Sequence, residues 1–378
     1  MKMRIPLAKP EITDSDREAV LEVLRTPQLS SGPKVQEFEQ AICEYTGSKY
    51  AVAVNSGTSA LHLAVPLGLE AGAEVILPSF TFSALLNVIL HEGLQPKFVD
   101  IDPESYNTTP ELVAAAITEK TRLILAVHTF GVPMDVPGVR AAVPANHPIH
   151  IIEDACEALG AAVGGRKAGT LGDLGLFAFY PNKQITTGEG GVLVMSDEKL
   201  AKQARILRNQ GRDPTLSWED HVEIGFSCRL SDINCALGIS QLKRLEDVIE
   251  KRQQLAESYD CELQTIPELV RPPLRSSIGR ISWFVYAVRL SDGFTRADRD
   301  WICKSLAEKG IASGKYFAPL HHQPVLRKRG VSPQPELPNT DLVADRIIAL
   351  PFFNELTDAE VEEVCRALEE SIHRCRKT

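Results

Sequence analysis

The chain has 378 residues, enough at roughly 150 per domain for two or three structural units with a substantial core. Apolar residues form 44% and charged residues 24%, a globular composition that excludes a disordered chain, a collagen-like fibre and a small stapled scaffold. With 41 basic against 50 acidic side chains the formal charge is −9, which argues against nucleic-acid backbone binding as the main activity.

Taken in chain order, the opening residues Met1 to Leu7 are basic but have no apolar stretch behind them, and Pro6 and Pro10 interrupt any helix. No secretory signal is expected, and without a run of about eighteen apolar residues no membrane span is expected either. From about residue 50 to 200, short β-branched runs alternate with helix-length segments, the pattern of βαβ units around a mostly parallel sheet. The expected strands cover 50–54, 74–77, 97–100, 123–128, 149–153, 174–179 and 192–195, with helices over 58–69, 84–91 and 110–116. Their nearly continuous hydrophobicity suits strands covered on both faces.

Further along, Ile233, Ala236, Leu237, Ile239, Leu242 and Leu245 recur at helical spacing, predicting one long linking helix over 231–260. After the break Arg271-Pro272-Pro273, a strand over 283–290 and helices over 296–309 and 358–373 suit a smaller α+β domain. The division expected is a large α/β domain over 1–245, whose N-terminal segment packs with the small domain, and a C-terminal α+β domain over 246–378. Five prolines between 319 and 340 predict an ordered loop. The eight cysteines are scattered without a C-x-x-C pair, which predicts reduced thiols in a cytoplasmic protein. A zinc site would need ligands gathered by the fold alone, and no metal is expected.

Ligands of open α/β sheets bind at the carboxyl ends of strands, and three segments stand there. In Val54-Asn55-Ser56-Gly57-Thr58-Ser59-Ala60 a strand stops at a glycine and hydroxyls open a helix, a turn suited to a phosphate or to an ordinary N-cap. In Ile151-Ile152-Glu153-Asp154 an apolar strand delivers two acids, which suit either a helix cap or a fixed charge facing a cationic ring. In Phe179-Tyr180-Pro181-Asn182-Lys183, followed by Gly188-Glu189-Gly190-Gly191, a lysine trails an apolar strand. It is either a solvated surface group or a partly desolvated amine ready to attack a carbonyl.

Together these segments resemble the DegT/DnrJ/StrS sugar-nucleotide aminotransferases. The likeness extends through Leu29-Ser30-Ser31-Gly32-Pro33, Leu77-Pro78-Ser79-Phe80-Thr81-Phe82, Glu153-Asp154-Ala155-Cys156-Glu157-Ala158, Arg229-Leu230-Ser231-Asp232-Ile233 and Pro319-Leu320-His321. It implies a fold type I, pyridoxal 5′-phosphate-dependent transferase of the aspartate-aminotransferase fold, with a mostly parallel mixed sheet flanked by helices. By position, the resemblance makes Lys183 the catalytic residue that carries the cofactor, with Asp154 pairing its ring nitrogen, Phe82 stacking on the ring and Glu157 nearby. Gly57 and Thr58 would form the phosphate turn, Ser227 would reach the phosphate of a neighbouring subunit, and His321 would lie on the substrate side. Two positions depart from the commoner pattern, since Ala178 and Ser227 stand where many relatives carry serine and asparagine. The implied activity is amination of a nucleotide-linked keto sugar with glutamate as donor, in a homodimer with shared sites. Other reactions of the same cofactor (dehydration, elimination or amino-acid aminotransfer) and a non-catalytic regulator are the alternatives.

Overall fold

A computed structural model describes residues 3–65, 69–213, 215–217, 219–331 and 335–376. In chain order the strands of its central sheet are β1 (Tyr50–Val54), β2 (Glu74–Pro78), β3 (Gln95–Val99), β4 (Thr121–Val127) and β5 (His150–Asp154). After a small ribbon of β6 (Ala162–Val163) and β7 (Arg166–Lys167) come β8 (Leu174–Ala178) and β9 (Gly191–Met195). The seven strands are ordered β1-β9-β8-β5-β4-β2-β3. Neighbours run parallel except where β9 pairs antiparallel with β1 and β8. The carboxyl ends of β1, β2, β5 and β8 therefore share one edge of the sheet.

Alternation along each strand explains how the sheet is buried on both faces. Val52 and Val54 join one core cluster with Leu77, Leu125, Leu176 and Leu193, while Ala51 and Ala53 face the other way with Phe177 and Val192. A second sheet, β10 (Leu269–Val270), β12 (Tyr286–Leu290) and β13 (Ile347–Leu350), is antiparallel, and the short β11 (Gly279–Arg280) pairs with β6. Helices Arg296–Glu308 and Asp358–Cys375 contribute to its core. Ile5 lies in the same cluster and bridges Ile311. Among the described residues no helix is long and apolar enough to cross a membrane.

Four expectations about the elements need correction. The helix expected over 231–260 is two, Asp232–Leu242 and Leu245–Leu263. Arg244 leaves helical geometry at φ −114° and ψ 14°, and its guanidinium reaches Glu11 Oε2 at 3.2 Å and Asp16 Oδ2 at 3.1 Å. Among its described residues, the proline-rich segment 319–340 carries a 3-10 turn at Leu320–His322, a short α-helix at Pro324–Lys328 and the start of helix Pro338–Arg346, where one ordered loop was expected. Pro324 and Pro338 stand at first helical positions, where a missing amide hydrogen costs nothing. The strand expected from Trp283 begins only at Tyr286, because the carbonyls of Trp283 and Phe284 accept hydrogen bonds from the buried Arg252. Of the helix expected over 58–69 the structure has Gly57–Ala64; residues 66–68 lie outside the described residues. Helices Asp14–Leu24 and Pro33–Thr46 were not anticipated.

Candidate active site

A cavity of about 320 Å³ opens at the shared strand ends, and Gly57, Thr58, Phe82, Asp154, Glu157 and Lys183 all line it. Phe82 sits half open to solvent. Six of the eight residues singled out from sequence are thus brought to one place.

Lys183 lies on the connection between β8 and β9, and that connection is tied down along its length. The Phe179 amide donates to Gly190 O at 2.9 Å, the Thr187 amide to Phe179 O at 3.0 Å and the Lys183 amide to Tyr180 O at 2.9 Å. Its neighbour Gln184 is buried, and its side-chain amide donates to Glu157 O at 2.7 Å and to Ser282 O at 2.9 Å. The lysine side chain is 13% exposed, with Nζ 3.6 Å from Glu157 Oε1 and 4.0 Å from the centre of the Phe284 ring. The π face of Phe284 supplies negative potential to the amine without a proton of its own.

Glu153 and Asp154, adjacent at the end of β5, point to opposite faces of the sheet. Asp154 turns into the cavity, buried, and accepts the Cys156 amide at 3.0 Å. Glu153 is fully buried behind it, accepting the amides of Gly169, Leu171 and Gly172. His128 completes that cage: Met134 donates its amide to Nδ1 at 3.0 Å, so Nε2 carries the proton it gives to Glu153 at 2.9 Å. The helix-cap reading fails for both acids, since one holds a loop and the other faces open space. Partial burial chiefly pushes the Cys156 thiol above its ordinary value; Asp154 raises it further and Lys183 pulls it down.

The turn after β1 is a close-packed cup. Ser56 caps the helix Gly57–Ala64 by accepting the Ser59 amide at 3.0 Å, while the amides of Gly57 and Thr58 belong to a first turn that has no acceptor within the helix. A Cβ on Gly57 would lie 2.9 Å from the Ala178 methyl and 3.1 Å from Cys156 Sγ, and a Cβ on Gly191 would lie 2.7 Å from the Gly57 nitrogen. Only hydrogen fits at either position.

Burial pushes the Glu157 carboxyl above its ordinary 4.5, against the pull of Lys183 and of the Phe130 amide, which donates to Glu157 Oε2 at 3.0 Å. The folded chain therefore holds this proton more tightly than the unfolded chain, and stability falls as pH rises from 4.5 through the raised value. Glu157→Gln keeps an oxygen for Phe130, so the cofactor-free variant is expected to melt above wild type near neutral pH and to lose that advantage in acid. Melting curves at both pH values check this, and an advantage of equal size at both would show that ionisation is not its source.

Two expected residues lie outside the cavity. Ser227 Oγ accepts Nη2 of Arg229 at 3.0 Å at the surface. The His321 ring sits between Ser79 Oγ, 2.7 Å from Nδ1, and Asp341. Conversely, Phe284, Tyr316, Phe317 and Asn182 line the cavity without having been anticipated. Three of these lie more than 100 residues beyond Lys183, where no spacing rule links them to it. Asn182 Oδ1 is buried with no hydrogen-bond donor.

This donor set fits a flat aromatic aldehyde bearing a phosphate and a basic ring nitrogen. An amine stands for the aldehyde, a carboxylate for the ring nitrogen, first-turn amides with a hydroxyl for the phosphate, and Phe82 for the ring face. The chain was compared with known proteins. A model of the DegT/DnrJ/EryC1/StrS aminotransferase family matches residues 10–369. The chain is 37% identical to the GDP-perosamine synthase of Caulobacter vibrioides, over 97% of this chain and 98% of that protein. The structure superposes on Helicobacter pylori PseC, an aminotransferase involved in the biosynthesis of pseudoaminic acid, with a TM-score of 0.92 at 27% identity, covering 99% of this chain and 100% of that one. It also superposes on the PLP form of Spr1654 from Streptococcus pneumoniae, with a TM-score of 0.91 at 28% identity, covering 98% and 99% of the two chains.

Proposed function

This chain belongs to the DegT/DnrJ/EryC1/StrS aminotransferase family, and from that premise we propose that it aminates a nucleotide-linked keto sugar with pyridoxal 5′-phosphate, taking the amino group from glutamate. The observation that carries the proposal is the convergence of the Lys183 amine, the Asp154 carboxylate and the Gly57–Thr58 turn on one cavity. One relative is named a GDP-perosamine synthase and another an aminotransferase of pseudoaminic acid biosynthesis, which supports the substrate class.

When bound, the cofactor supplies an aldehyde that captures amines and an electron-poor ring that takes up the electron pair released at the amino-acid α-carbon. Lys183 Nζ would hold it and would move the proton as general base and then general acid. The short ties through Gln184 and Tyr180 hold the lysine backbone still, so that motion is confined to the side chain. Asp154 turns its carboxyl into the same cavity, where it would face a cofactor's ring nitrogen. The Gly57 and Thr58 amides and the Thr58 hydroxyl would hold the phosphate, and Phe82 would cover the ring. Glu157 orients Nζ from the side, while Tyr316 and Phe317 exclude water. The test is direct: cofactor-loaded protein is mixed with glutamate and a panel of nucleotide keto sugars, and the amino sugar is followed by mass. Glutamate turnover with amination of no keto sugar would defeat the proposed substrate class.

In this reading the working unit is a cytoplasmic homodimer whose Ser227 hydroxyl reaches the phosphate of the other subunit's cofactor. Among the described residues no disulfide joins the eight cysteines, which suits the cytoplasm. Leu216, Val222, Phe226 and above all Ile224, 95% exposed, present an apolar strip beside Ser227, which water would not favour on an isolated chain. Ile224→Glu is expected to weaken self-association at least about a hundredfold, the ~3 kcal/mol cost of an unpaired buried carboxylate, and to lower activity with it. Sedimentation at several concentrations checks this; a fully active monomer would remove the shared site.

A further inference from the structure

Outside the cavity, the fold gathers His321, His322 and Asp341, each offering one ligand atom within 4.8 Å of the others. We propose that these three side chains form a binding site for a divalent ion of the zinc type. Asp341 Oδ1 lies 2.8 Å from His322 Nε2 and 3.5 Å from His321 Nε2. Tetrahedral zinc with bonds of about 2.0–2.1 Å sets its ligand atoms about 3.3 Å apart, so the two separations bracket the required one. Two imidazoles and a carboxylate, with a fourth position left for water, are a ligand set that zinc accepts.

The buried histidine carries the argument furthest. The His321 side chain is 5% exposed, yet its Nε2 has no hydrogen-bond partner and points to the Asp341 carboxylate. At 3.5 Å from Asp341 Oδ1, the oxygen that His322 Nε2 approaches to 2.8 Å, that nitrogen stands beyond good hydrogen-bond distance. On the other side of the ring, Nδ1 is 2.7 Å from Ser79 Oγ. A metal on Nε2 would put the ring proton on Nδ1, where Ser79 Oγ, which also accepts the His321 amide at 3.0 Å, would take it and fix the ring, the arrangement that orients histidine ligands generally. His322 and Asp341 are 54% and 39% exposed, so an ion enters from solvent without opening the core.

The ligands come from the turn Leu320–His322 and the helix Pro338–Arg346. The turn is anchored to the end of β2 through the Leu320 amide on Ser79 O at 2.9 Å. The helix is anchored to the end of β3, where the Asn339 and Thr340 amides donate to Asp100 at 3.0 and 2.8 Å. An ion would clamp these two pieces beside the segment that leads from Ser79 to Phe82 at the cavity mouth. The site does not depend on the proposed reaction, and binding is its readout.

The test uses full-length, cofactor-loaded protein stripped with a chelator and titrated with zinc chloride against a chromophoric competitor. One tight equivalent per chain is expected, together with a rise in melting temperature. His322→Ala, at an exposed position, and Asp341→Asn, at a half-buried one, are each expected to weaken that equivalent at least about a hundredfold and to abolish the rise. No tight equivalent in wild type, or an unchanged one in both variants, overturns the site; the latter would place the ion on thiols such as the exposed Cys261. Should a variant fail to fold, X-ray absorption of the zinc-loaded wild type decides, since nitrogen and oxygen neighbours support the site and sulfur neighbours refute it.

Discussion

Lys183→Ala is expected to fall in turnover by roughly 10²–10⁴-fold from lost proton transfer alone, and by more because the covalent tether goes with it. The backbone around residue 183 should not change, because its ties run through the Lys183 amide and through Gln184 rather than through the ammonium group. The companion variant Lys183→Arg separates charge from proton transfer. A guanidinium keeps the cation over Phe284 and beside Glu157, but it does not give up a proton in a protein. It should therefore be as inactive as the alanine variant. Added methylamine should restore part of the activity to Lys183→Ala, whose truncated side chain leaves room for a small free base, and none to Lys183→Arg. Single-turnover rates with glutamate check all three outcomes. An arginine variant that works would mean that the site uses the positive charge and not the proton.

Much of this site was legible because it is built where a parallel sheet must build it. A strand that ends in Ser56-Gly57-Thr58, a strand that ends in Asp154 and a lysine five residues past β8 are local facts, and the sheet order alone carries them to one edge. The residues that were not legible come from the other core. Phe284 reaches Lys183 because Arg252, fully buried in the long second helix, takes the carbonyls of Trp283 and Phe284 and ends the strand short. That is a contact between three elements, with no periodic trace in the sequence. The same holds for Arg244, whose attraction to Glu11 and Asp16 breaks a helix that apolar spacing predicts to be continuous. His321 shows the reverse case. Its motif was readable, but the ring orientation depends on Ser79 and Asp341, which the chain brings in from either side.

The adjacent acids of β5 provide the sharper test, because one residue of register gives them opposite expectations. Asp154→Asn retains the shape and an oxygen for the Cys156 amide, but it removes the charge that would face a protonated ring. Losing one partner of a buried pair costs about 3–5 kcal/mol, which at ~1.4 kcal/mol per decade is about 10²–10⁴ in rate. Its melting temperature should stay close to that of wild type, since no amide is left unpaired. Glu153→Gln should do the converse. Its carboxylate accepts three amides and the His128 proton, and a side-chain NH₂ in that cage leaves at least one donor facing another, at about 1–3 kcal/mol. Stability should drop while the rate per folded molecule holds. Paired melting curves and turnover numbers for the two variants decide the matter. Equal losses of rate would mean that Asp154 acts through the sheet rather than across the cavity, and its pairing with the ring nitrogen would fail with it.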